Sequence, residues 1–178
     1  AIAATINSVL KNYSSAGIYY IADKISTIFS LVSLSIFTVL LPKNAKRKKQ
    51  NQDFDFKETF LISISLIILA FIGTVISKYI VIPIFGQSYQ SSLSILYILL
   101  FASSFNAIST FMENYFFVEG ITNRLLPITL VKLITFVSIS YFFIPFYSIY
   151  AVAYASLISS ISTVLLTAFY IYKNNNSN

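Results

Sequence analysis

The stretch Leu40–Glu58, LLPKNAKRKKQNQDFDFKE, interrupts a chain that is otherwise almost entirely apolar. Five of the seven residues from Lys43 to Lys49 are basic, and they directly follow an uncharged run from Ile25 to Leu41. Such a run can mark a nucleic-acid patch, a sorting signal or the end of a membrane span, and its flanks decide between them. Extended back to about Ala16, the uncharged run is long enough to cross a hydrocarbon core of about 30 Å at 1.5 Å per residue. The basic run then reads as the anchor on the side where that span emerges.

Composition agrees with a lipid solvent. The chain is 57% hydrophobic and 10% charged over 178 residues, with a mean hydropathy of +0.78. A soluble domain carries about 25% charged residues, so these side chains are too few to cover a water-facing surface. The net charge of +6 is concentrated, with six of twelve basic residues between Lys43 and Lys57. The absence of Cys excludes disulfides and thiolate chemistry, and the absence of His removes the usual ligands of zinc sites and His-based triads. No phosphate-binding glycine loop and no carboxylate pair in an aqueous cleft stands in the sequence. The chain reads as a non-enzyme that needs no cofactor and binds no nucleic acid.

Four more apolar runs follow. The sequence therefore predicts an all-α, polytopic membrane helix bundle with five full spans at about 16–42, 59–84, 91–118, 125–144 and 150–172. The opening AIAATINSVL is apolar but half the length of a span, and residues 1–12 read as the end of a truncated transmembrane helix with an outer loop. Residues 13–173 form the five-helix lobe and residues 174–178 a tail. Pro42, Pro83, Pro127 and Pro145 all fall at or near these ends, where a lost N–H costs least.

Every second connection is basic. Lys43 to Lys57, Arg124 and Lys173 alternate with the uncharged FGQSYQSS and PFYSI. By the positive-inside rule the basic connections and the C-terminus are cytoplasmic, with contact to anionic lipids as an added role for the basic run. Tyr13, Tyr19, Tyr20, Tyr147, Tyr150, Tyr170 and Tyr172 suit an interfacial belt.

Three spans carry polar stripes at helical spacing. On the first, Asp23, Ser26, Thr27, Ser30 and Ser33 share a face. On the third, Ser103, Asn106, Thr110, Glu113 and Asn114 do so, and on the fifth Ser156, Ser159, Ser160, Thr163 and Thr167. Small hydroxylated residues permit close helix packing, and that reading leads for the fifth span. For the other two, ionisable Asp23 and Glu113 favour a polar cavity. Depth along the spans predicts two contacts, Asp23–Lys78 and Glu113–Lys132. Lys24, about 100° round the helix from Asp23, is then left to meet an anionic group, unless it and Lys78 snorkel to the headgroups. The candidate cavity residues are thus Lys24, Lys132, Asp23, Glu113, Asn106 and Lys78.

Three segments in succession resemble the polysaccharide-biosynthesis flippases of the multidrug/oligosaccharidyl-lipid/polysaccharide transporter superfamily. SSAGIYYIADKISTIFSLVSLSIFTVLLPK has a Gly-x-Tyr-x-x-Ala start and a proline exit, like the family's eighth helix. IFGQSYQSSLSILYILLFASSFNAISTFMENYFFVEGITNR is similar to its Phe-Gly-x-x-Tyr loop and tenth helix. FFIPFYSIYAVAYASLIS resembles the Ile-Pro, Tyr and Ala-x-Ala-x-x-x-Ser pattern leading into the twelfth. The family usually places glycines where Ser148 and Tyr150 stand here.

The resemblance implies the C-terminal lobe of a two-lobe transporter in the bacterial cytoplasmic membrane. It would move undecaprenyl-pyrophosphate-linked oligosaccharides for O-antigen, lipopolysaccharide or capsule by alternating access. Its implied partners are the lipid-linked sugar, membrane lipids, an N-terminal transmembrane lobe and a polysaccharide polymerase. The family offers no invariant motif to transfer, so the candidate residues rest on charge and depth. Among them Lys24 and Lys132 are the expected cationic partners of a pyrophosphate. A cation-coupled multidrug exporter of the same superfamily, a peptidoglycan-precursor flippase and a non-transporting remnant or scaffold stay open as alternatives.

Overall fold

Inside a bilayer each backbone N–H and C=O has to find its partner within its own segment, and the apolar runs satisfy this by coiling. The computed structural model describes residues 13–52 and 54–176. Among them are five long helices and no strand: α1 Tyr13–Lys49, α2 Phe56–Phe85, α3 Gln90–Glu119, α4 Leu125–Tyr147 and α5 Ile149–Asn175. Single turns of tighter helix, Gln87–Tyr89 and Thr122–Arg124, lead into α3 and α4. All five helices are long and apolar enough to cross a bilayer, the architecture of a multi-pass membrane protein. The expected helix end within residues 1–12 lies outside the described residues, as do Asp53 and residues 177–178.

The bundle is organised around α3, which packs against α1, α2 and α5. Half of its 30 residues are buried, among them Ile95, Leu96, Ala102, Ala107, Phe111 and Phe116. Helix α2 meets α3 along the narrow stripe Thr59, Leu66, Ala70, Ser77 and Val81, where small residues let the backbones approach. Its other faces expose Leu61, Ile68, Phe71, Val75 and Ile80. Helix α4 has its one extended interhelical contact with α5.

The first helix does not stop at Pro42, where the first span is expected to end. Helix α1 continues to Lys49, because side chains beyond the proline are tied down: Lys43 to Glu58 at 2.6 Å, Arg47 to Asp55 at 2.8 Å and Lys48 to Glu119 at 2.7 Å. Pro83 and Pro145 sit within the last turns of α2 and α4, at the ends where the sequence places them. The tail is shorter than expected, since Asn174 and Asn175 extend α5 and bond to Tyr115 at 2.8 Å each. Tyr19 leaves the tyrosine belt altogether, with 1% of its surface exposed in the core beside Leu96 and Ala153.

The turns are set locally. Gly120 ends α3 at φ +74°, and the Ile121 N–H reaches back to the Phe116 carbonyl at 3.0 Å. That is a Schellman closure, which glycine adopts without a Cβ penalty. Gly86, in the Phe-Gly-x-x-Tyr loop, ends α2 at φ +87°. Between α4 and α5 the same need is met by Ser148, at φ +51° and ψ −131°. The residue types that suit positive φ are Gly first and Asn or Asp next, so the α4–α5 turn holds strain at Ser148.

Candidate functional site

Helices α3 and α4 are consecutive in sequence but share no extended contact. The space between them, walled by α1 and α5, is a cavity of about 390 Å³. This lies within the size range of small-molecule sites, about 300–1,000 Å³.

All three polar stripes send residues into this cavity. Helix α1 contributes Asp23 and Ser26, α3 contributes Ser103 and Asn106, and α5 contributes Ser156, Ser159 and Ser160. Helix α4 adds Thr129 and Lys132. Where a hydroxyl proton has a partner, it is the helix's own backbone: Ser26 donates to the Asp23 carbonyl at 2.9 Å, Ser159 to the Ser156 carbonyl at 3.0 Å and Thr129 to the Leu125 carbonyl at 3.0 Å. Their oxygens keep lone pairs for a guest. The deeper part of the α5 stripe follows the packing reading instead. Thr163 and Thr167 are buried and bond to the carbonyls one turn earlier, at 2.7 Å and 2.8 Å.

Lys132 is the cation of the cavity wall. Its ammonium donates to Asn106 Oδ1 across the gap between α4 and α3. An ammonium has three protons, so two remain to face a ligand. Asp23, on the α1 wall, is the cavity's carboxylate. The site therefore offers one cation, one anion, an amide and several hydroxyl oxygens on an apolar floor of Leu99, Leu133 and Phe136.

The candidate residues divide. Lys132, Asp23 and Asn106 line the cavity together. Lys24 does not: it is exposed and lies over the Tyr20 ring at 5.3 Å. Lys78 is exposed on α2 and makes no ion pair with Asp23. The reason is architectural, since α1 and α2 both pack on α3 rather than on each other. Glu113 lies outside the lining and accepts from Ser109 Oγ at 2.9 Å. It and Lys132, the second predicted pair, act on each other electrostatically without a salt bridge. Thr129 was missed by the sequence reading; its signal is the spacing Thr129, Lys132, Phe136, one face of α4. Among the described residues no group of acidic side chains could hold a metal ion.

Comparison with protein-family models, with curated proteins and with solved structures gives no match to this chain.

Proposed function

We propose that the chain is part of a membrane transporter of lipid-linked oligosaccharides, working by alternating access in the bacterial cytoplasmic membrane. The observation that carries the reading is the cavity: four membrane-spanning helices turn hydroxyl, amide and charged groups toward one space rather than toward lipid. A polar group crossing a bilayer has to exchange water for such partners. The free protons of Lys132 suit the oxygens of a phosphate, and the hydroxyl oxygens suit a sugar. The succession of flippase-like segments supplies the cargo class. Under this reading the basic end faces the cytoplasm, and a preceding lobe would close the other half of the pathway.

One observation favours a second reading. Asp23 lines the cavity without an ion-pair partner among the described residues, and such a carboxylate is what a cation-coupled exporter of the same superfamily would use.

Complementation separates the two. The complete reading frame is expressed in a bacterium lacking its surface-polysaccharide flippase and supplied with the matching sugar-assembly enzymes. Restored surface polymer, lost in Lys132→Ala but kept in Lys24→Ala at equal protein level, is the expected result. Lipid-linked sugar accumulating inside, with the protein present in the membrane, overturns the flippase reading. Cation-driven drug efflux lost in Asp23→Asn would put the exporter in its place.

A further inference from the structure

The basic extension of α1 has two sides. Lys43, Arg47 and Lys48 reach toward the bundle and meet Glu58, Asp55 and Glu119, while Asn44 between them is buried. Lys46 and Lys49, one turn apart, are exposed and have no acidic partner among the described residues. At 100° per residue they lie well over 90° from Leu40 and Asn44, the buried side of the helix.

The outward line of Lys46 and Lys49 continues down α1 through Pro42, Val39, Ser35, Leu31 and Ile28, spaced by three and four residues. Ile28, Leu31 and Val39 are 58%, 60% and 67% exposed. One face of one helix is thus apolar along the bilayer and doubly cationic just beyond it. That order, chains then charge, is complementary to an anionic phospholipid.

We infer that the outward face of α1 is a binding site for an anionic phospholipid of the leaflet at the basic end, its acyl chain along Leu31 and Val39 and its phosphate between Lys46 and Lys49. This site is separate from the cavity and independent of what the cavity carries. The inward ion pairs serve it by holding the extension helical past Pro42, so that both ammonium groups stand at headgroup level. Each uncompensated lysine near a charged membrane surface raises local anionic-lipid occupancy about fivefold.

The chain contains no tryptophan, so one introduced tryptophan reports on its own surroundings. The full protein carrying Val39→Trp is placed in bilayers of phosphatidylcholine with brominated phosphatidylglycerol or brominated phosphatidylcholine as quencher. Phosphatidylglycerol is expected to associate at this position at least fivefold more strongly. The preference should fall to about one in Lys46→Gln/Lys49→Gln and weaken with salt. Ile28→Trp, on the same face in the other leaflet, should show no preference in either background, and its unchanged quenching reports that the double variant is folded. Equal quenching by both lipids at Val39→Trp overturns the inference. So does a preference that survives the double substitution, or the absence of quenching by either lipid, which would mean that protein covers this face.

Discussion

Lys132 on α4 donates to Asn106 on α3 across a gap that the two helix backbones do not close. The bond joins a costly group to the acceptor that makes it tolerable. An ammonium within a membrane protein is destabilising by a few kcal/mol unless it finds partners, and truncating only the acceptor leaves that cost in place.

Asn106→Leu should therefore destabilise the protein by about 1–3 kcal/mol, the cost of a polar group stripped of its partner. Lys132→Leu should be neutral or stabilising while abolishing the transport proposed above. The double substitution should recover the stability lost in Asn106→Leu. Reversible unfolding in mixed detergent, read as a double-mutant cycle, measures all three.

Ser148→Gly should raise stability by about 1 kcal/mol, because the left-handed turn between α4 and α5 then carries no Cβ strain. Gly120→Ala should do the reverse by a similar amount. A methyl there meets no neighbour within 4 Å, so its cost comes from the positive φ alone. Midpoints of thermal unfolding compare the pair.

Asp55 caps α2 through the Glu58 N–H at 3.0 Å and pairs with Arg47. These contacts, the backbone N–H first, hold its carboxyl below the ordinary value of 3.8. Its stabilisation is complete above that value and is lost as pH falls through the lower folded value. Wild-type melting temperature should therefore have an acid-side component below about pH 4 that Asp55→Asn lacks, with the two proteins differing by a constant amount from pH 5 to 8. A difference that grows from pH 7 to pH 5 would contradict this assignment.

Asn114 is 1% exposed on α3, and neither polar atom of its side chain has a hydrogen-bond partner among the described residues. Asn114→Leu removes a desolvation cost without breaking a bond, so stability should hold or rise by about 1 kcal/mol. A loss above about 2 kcal/mol would show that the amide has a partner in the membrane.

The five spans were legible because a bilayer imposes its thickness on the sequence, and uncharged runs between basic connections record that thickness directly. The cavity was partly legible. Asp23 and Asn106 announce themselves on stripes, since a polar face on an apolar helix has to turn away from lipid, whereas Ser156, Ser159 and Ser160 of α5 read as packing residues and line the cavity instead. What failed was neighbourhood. Placing Lys78 against Asp23 assumed that consecutive helices pack, whereas α3 comes between α1 and α2 as their common partner. Lys24 failed by rotation, since one residue is about 100° of helix and carries it out over Tyr20. The end of α1 was hidden because Glu119, which helps to hold it, lies seventy-one positions away in sequence from Lys48.

Helix α4 has its extended contact with α5 alone; toward α3 it offers Lys132 at the cavity and Ile128 in a small core with Tyr115 and Phe116. The enclosure is thus mechanically uneven. Three of its sides belong to the interlock around α3, and the fourth is a helix carried along its length by α5 and tied to α3 at a few side chains. A guest that draws Lys132 toward itself would remove one of those ties and leave α4 held by α5 and by the Ile128 contact.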